Sequence, residues 1–336
     1  MIFNKKHIRV GLDIGNNLLK VVELEKKNNS YEITKFGVKA VDEAKGLAKT
    51  IKELFEETRI STKEVNISVS GENVVARYVS LPKMNEVELK KAMAFKLEDH
   101  IPFKPEEVYM DYYPMGEEKS SKNRIMIFLV AVKKEFLDER LKIVRQAGLE
   151  PKLVTIDALA VKRNFYHNYP DKNLANIAIL NIGDKITNLL IAQGQTPYFV
   201  RDTQFGGDTI TAAIKSKIEI PQKEAQELKI NLKSSPSNVL EIVKTTLINN
   251  LLNEIFVSLE FYENLTERRI EEIYITGGSS QLSGLTEFLT EYLNLKAFVL
   301  DPVKNIPFSQ RLLKNITTKQ STPYLTTAIG MALEEP

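Results

Sequence analysis

Two turns far apart in the chain carry the residues best able to do chemistry, Asp13-Ile14-Gly15-Asn16-Asn17 and Asn181-Ile182-Gly183-Asp184-Lys185. At a fixed offset their apolar neighbours match: Leu12 with Leu180, Ile14 with Ile182, Val21 with Leu189 and Val22 with Leu190, while Gly15 falls on Gly183. Each copy predicts an alternating strand, a tight turn that uses glycine's backbone freedom, and a second strand. A duplicated hairpin implies two similar lobes facing each other across a cleft. Each turn would then present backbone N–H groups to a phosphate chain lying between them.

The elements that would hold those turns can be read from periodicity. Residues 7–14, 18–25 and 31–38 predict three strands, and Leu47, Ile51, Leu54 and Phe55 then keep a helical period. Residues 65–69 and 74–79 return to strand, giving a first α/β lobe whose core is expected over 1–80. Asn85 with Glu88 is a capping-box signature, residues 108–113 and 124–132 predict strands, and 136–147 a helix stopped by Gly148. Residues 81–154 are therefore expected to form a small α+β insert, and 155–175 the helix that returns to the first lobe. The opening then repeats over 176–324: three strands, Gly206-Gly207-Asp208, a helical subdomain at about 209–269, and the strand Ile273-Tyr274-Ile275 running into Gly277-Gly278-Ser279. Residues 325–336 predict a terminal helix packed back on the first lobe.

Composition narrows the function. With 46 basic and 44 acidic residues among 336, the net charge is +2, far from the basic excess of a nucleic-acid binder. The absence of cysteine excludes disulfides and thiolate zinc sites, and His7, His100 and His167 lack metal-ligand spacing. Lys5 and Lys6 precede an apolar stretch broken by Arg9 and Asp13, which is not the pattern of a signal peptide. The longest apolar run, residues 125–132, falls short of the ~18 residues that a membrane span needs. A cytoplasmic location is expected, with any membrane contact made through a partner.

The order of hairpin with Asp13, insert, second hairpin, Gly206-Gly207-Asp208, helices and Gly277-Gly278-Ser279 resembles the actin, sugar kinase and heat-shock chaperone superfamily. That resemblance implies an actin-like ATPase fold, with two hairpins clasping nucleotide phosphates and the late Gly-Gly turn passing under adenosine. Over nearly its whole length the chain is more closely similar to the PilM family, cytoplasmic actin-like proteins of type IV pilus assembly. The closer likeness rests on Leu97-Glu98-Asp99-His100-Ile101-Pro102-Phe103 with Asp111-Tyr112-Tyr113 and on Ala147-Gly148-Leu149-Glu150-Pro151. It extends to Arg201-Asp202 ahead of Gly206-Gly207, and to Ala328-Ile329-Gly330-Met331-Ala332-Leu333.

The resemblance assigns roles. Asp13 would organise water around a nucleotide-bound Mg²⁺, a cation that keeps most of its waters. Gly15, Asn16, Asn17 and Lys20 would meet the phosphates of ATP from one side, and Gly183, Asp184, Lys185, Thr187 and Gly207 from the other. Gln226, Lys229, Gly277, Gly278 and Ser279 would line the adenosine side. Asp157, opening the returning helix, would either position a water or simply cap that helix. The implied partner is the cytoplasmic N-terminal tail of a PilN-like inner-membrane protein, and self-association is a further possibility within the superfamily.

Two positions depart from the pattern. Asn181 stands where a second metal-organising aspartate is usual, and Gln226 where a ribose- or adenine-binding glutamate is frequent; Glu227 points about a hundred degrees away on the helix. Losing the charged partner costs on the order of 1.5–3 kcal/mol. Nucleotide binding is therefore expected, turnover is doubtful, and Asn181→Asp would tighten Mg-ATP binding. Two alternatives belong to the same superfamily: a cell-division filament protein like FtsA, which usually ends in an amphipathic helix that is not expected from residues 325–336, and a small-molecule kinase, which would need an intact carboxylate pair.

Overall fold

The computed structural model describes residues 7–28, 30–118, 121–194, 196–310, 312 and 322–334. The outermost residues of the expected first-lobe core and terminal helix lie outside that set, as do part of the polar loop after Gly116 and the side chains of Leu97 and Glu98.

Apolar residues on both faces of the early strands dictate a sheet covered on both sides. Strands β1 (His7–Ile14) and β2 (Leu18–Lys27) pair antiparallel, with Leu12 opposite Val21 and Ile14 opposite Leu19. Val10, Leu12, Leu19 and Val21 pack against Ile51, Leu54 and Phe55 of α1 (Leu47–Thr58), while Val22 and Leu24 pack on the opposite face. With β3 (Ser30–Ala40), β4 (Glu64–Val69) and β8 (Glu150–Ile156), the sheet order is β3-β2-β1-β4-β8. Strands β4 and β8 run parallel to β1.

The second lobe repeats this sheet. Strands β9 (Ile177–Ile182), β10 (Thr187–Gln193), β11 (Thr196–Thr203), β12 (Glu272–Thr276) and β13 (Lys296–Val299) give the order β11-β10-β9-β12-β13, with the same mixture of antiparallel and parallel pairs. Its hairpin register is also the same, Leu180 opposite Leu189 and Ile182 opposite Thr187. The duplication inferred from the sequence is thus present in the hydrogen bonds. One face of this sheet carries α5 (Gly207–Ile218), α6 (Gln222–Ile230), and α7 (Ser237–Leu247), which runs through a single wide π turn into α8 (Asn253–Thr266). Helix α9 (Leu285–Leu293) follows β12.

The region expected over 81–154 divides differently by hydrogen bonding. Strand β5 (Val74–Pro82), read from the sequence as part of the first lobe, pairs with β7 (Ser121–Lys133) along its whole length, and β6 (Val108–Glu118) pairs with β7 on the other side. Leu89 and Met93 of α2 (Glu86–His100) cover this small sheet, and α2 starts with the expected capping box: Glu88 N donates to Asn85 Oδ1 and Asn85 N to Glu88 Oε2. Helix α3 (Lys134–Gln146) then turns back, burying Val144 in the first-lobe core beside α1 and leading into β8. The returning helix α4 (Asp157–Asn168) lies against α10 (Thr326–Ala332), every residue of which is buried on β1, β2 and α4. That approach needs two glycines. A Cβ on Gly11 would lie 2.0 Å from Ala328 O, and one on Gly330 only 1.9 Å from Ala160 O.

Candidate functional site

Both turns close themselves with one and the same hydrogen bond. Gly15 N donates to Leu18 O at 3.2 Å, and Gly183 N to Ile186 O at 3.0 Å. A Cβ at Gly15 or at Gly183 would sit 2.8 Å from that same carbonyl oxygen. The requirement is clearance, since neither glycine adopts positive φ; the expected need for glycine's backbone freedom is corrected accordingly. The N–H groups of Gly15 and Gly183 are spent inside the turns, which leaves Asn16, Asn17, Asp184 and Lys185 as the backbone donors. Helix α5 is tied to the second turn through Gly207 N to Gly183 O at 3.0 Å and Asp208 N to Asp184 O at 2.9 Å.

The turns border a cleft of about 640 Å³, within the range of small-molecule sites. Asp13, Gly15, Asn16, Asn17, Lys20 and Asp157 line it from the first lobe; Asn181, Gly183, Asp184, Lys185, Gly207, Gln226, Lys229, Gly277, Gly278 and Ser279 line it from the second. Thr187 does not. It lies one register step beyond the turn, is 1% exposed, and spends its hydroxyl on Phe205 O at 2.8 Å.

The cleft carries charge of both signs. Asp13 meets Lys20 Nζ at 3.0 Å. Asp157 is the first residue of α4 and makes no cap with its side chain; instead its Oδ2 accepts from Ser70 Oγ at 2.7 Å. Burial, helped by the neighbouring Asp13 charge, pushes the Asp157 carboxyl up to about 6, although the nearby Ser68 hydroxyl and the hydrogen bond from Ser70 oppose the shift. Burial also raises Asp184, and Asp208 adds to this, while Lys229, Lys185 and Asn17 pull it back. Among the described residues its buried Oδ2 has no hydrogen-bond partner.

The residues expected on the adenosine side are held by hydrogen bonds within the second lobe. Lys229 Nζ donates to Gly207 O at 2.8 Å, and burial lowers its pKa. Gln226 Oε1 accepts from Thr211 Oγ1 at 2.8 Å, and Ser279 Oγ donates to Gly183 O at 3.2 Å. Gly277 takes φ +84°, and a Cβ there would lie 2.5 Å from Ile182 O.

Asn181 belongs to a directed network. Its Nδ2 donates to Asn188 Oδ1 at 2.9 Å, Asn188 Nδ2 donates to Asp202 Oδ1 at 2.7 Å, and Asp202 Oδ2 accepts from Gly71 N at 2.7 Å. The second hairpin is thereby joined to the loop that leads into β5. Sequence reasoning gave no role to Ser70, Arg140, Asn188 or Asp202; only Asp202 had a local signal, in Arg201-Asp202. Among the described residues no three His, Cys, Asp or Glu side chains gather to hold a metal.

Two duplicated sheets and matched turns around one cleft define a protein of the actin-like ATPase fold. A family model described as type IV pilus assembly protein PilM matches residues 11–336, and the chain belongs to that family. A structure of a PilM-PilN type IV pilus biogenesis complex is similar at TM-score 0.86 and 25% identity, covering 98% of this chain and 99% of that one. The ethanolamine utilization protein EutJ from Carboxydothermus hydrogenoformans shares the fold at TM-score 0.56 and 14% identity, over 97% of this chain and 89% of that one. So does the archaeal actin homolog Ta0583, at TM-score 0.50 and 13% identity, over 97% and 98%. No helix among the described residues is long and apolar enough to cross a membrane.

Proposed function

We propose that this chain is a cytoplasmic, ATP-binding scaffold of the type IV pilus machinery, or of a related secretion system, that docks the N-terminal tail of a PilN-like inner-membrane protein. The observation that carries the nucleotide reading is the pair of self-closed turns facing one cleft. The lining fits a Mg-triphosphate: the turn residues Asn16, Asn17, Asp184 and Lys185 with their backbone N–H groups, Lys20 and Lys185 for the phosphates, Asp13 for water on the cation, and a niche between Gln226, Lys229 and Gly277-Gly278-Ser279 for the nucleoside. An amide at Asn181 in place of a second carboxylate favours holding nucleotide over hydrolysing it. The partner reading is supported by family membership and by the similarity to a PilM-PilN complex. An extended tail would bind through exposed strand edges and apolar pockets, and the protein would sit at the inner membrane through that tail.

Isothermal calorimetry with Mg-ATP tests the first half, with saturable one-to-one binding expected. Pull-down with an immobilised partner-tail peptide, with and without ATP, tests the second. Failure to bind the peptide in either state rejects the docking role.

A further inference from the structure

Arg140 is a half-buried cation of the cleft whose hydrogen-bond donors are unspent among the described residues. Helix α3 leads directly out of β7 of the small sheet, and its Phe136 and Arg140, one turn apart, line the cleft. The guanidinium carbon lies 5.6 Å from the centre of the Phe136 ring. Among the described residues Arg140 makes no ion pair and no hydrogen bond. Lys20, by contrast, is bound to Asp13, Lys229 is bound to Gly207 O, and Lys185 is exposed.

The surrounding charges say which end of the cleft Arg140 serves. The carboxylates acting on it are Asp157, Glu139 and Asp13, whereas those acting on Lys229 are Asp184 and Asp208. Arg140 therefore sits at the Asp13–Asp157 end, away from the niche read as the nucleoside side. A half-buried guanidinium with its donors unspent, and with carboxylates near but not in contact, is poised for an anionic oxygen pair; its planar fork matches phosphate in a way an ammonium does not.

We propose that Arg140 is the triphosphate-discriminating residue of the cleft, its guanidinium taking the terminal phosphate of a bound nucleoside triphosphate. This rests on the nucleotide reading above and assigns the insert-side helix a direct part in telling ATP from ADP.

Calorimetry of the full chain with Mg-ATP and with Mg-ADP, on the wild type, Arg140→Ala and Arg140→Lys, tests it. Losing charge-assisted bonds to one phosphate should weaken ATP binding about tenfold or more in Arg140→Ala. ADP binding should stay within twofold or so of wild type, since only the terminal phosphate is contacted. Arg140→Lys should recover part of the ATP affinity, which a purely structural role would not predict. Equal losses for ATP and ADP, no loss, or a wild type without preference for ATP overturns the assignment while leaving the nucleotide site standing. A wild type that binds neither nucleotide overturns the nucleotide reading itself.

Discussion

Replacing Asn181 by Asp asks whether the second hairpin has been rebuilt around an amide. In the wild type Asn181 Nδ2 donates to Asn188 Oδ1, and Asn188 Nδ2 donates onward to Asp202. A carboxylate at 181 has no proton to give, so two oxygens would face each other. Rotating the Asn188 amide to satisfy the introduced carboxylate would instead turn its carbonyl toward the Asp202 carboxylate. Asn188 is 3% exposed, so water gives little relief. Either arrangement loses one buried hydrogen bond and sets two acceptors in contact, at a cost of about 1–3 kcal/mol. In a chain of this size each kcal/mol moves the thermal midpoint by about 2–4 °C. The penalty also carries a pH signature. Once protonated, the introduced carboxyl donates as the amide does, so the folded state raises its pKa above the unfolded value of about 3.9. A raised acid is harmless below its unfolded pKa and destabilises increasingly as pH rises through the folded one. Thermal denaturation of wild type and Asn181→Asp should therefore nearly coincide at about pH 4 and separate by several degrees at about pH 8. Calorimetry should show no tighter Mg-ATP binding, reversing what the loss of a charge by itself predicts. Equal midpoints at the higher pH, together with tighter Mg-ATP binding, would refute the network argument.

Asp13→Ala removes the first-turn carboxylate and frees Lys20, so calorimetric Mg-ATP binding should fall below detection; unchanged affinity would contradict the cleft assignment. Asp157 gains its charge in an unfavourable place as pH climbs through about 6, the value to which burial pushes it. Asp157→Asn should then be close to neutral at about pH 4 and stabilising at about pH 8, by less than about 3 kcal/mol once screening at the cleft is allowed for. A midpoint difference that does not vary with pH would disprove this. Gly330→Ala drives a Cβ to within 1.9 Å of Ala160 O, so α10 and α4 must separate. A loss of about 3 kcal/mol or more is expected, and an unaltered melting curve would show that the packing is misread.

The sequence made the duplication visible because both hairpins are buried on two faces and obey one register, so apolar residues and glycines recur at one offset. Capping at Asn85 and Glu88 was equally legible, being a contact between residues three apart. Pairing partners were not. Residues 74–79 read correctly as strand, but alternation does not say which sheet a strand joins, and β5 joins β7. Strand β8 escaped notice because it is an edge strand carrying Pro151 and Lys152, with alternate residues half-exposed. Most of the cleft lining could be named because it lies on turns with glycine signatures. Thr187 was misplaced for want of one register step. Arg140 carried no local signal at all: on a helix among Glu139, Leu141 and Lys142 it reads as a solvated face, and only the tertiary path of α3 brings it to the cleft.

The self-closed turns have a mechanical consequence. Because Gly15 and Gly183 tie their loops to the chain's own carbonyls, each loop is shaped before a guest arrives, which lowers the ordering entropy lost on binding. The gap between two such turns is then a natural dimension for adjustment. On the nucleotide reading proposed above, a ligand longer or shorter by one phosphoryl unit would register as a change in that gap, so that two stiff jaws would convert chemical length into interlobe spacing.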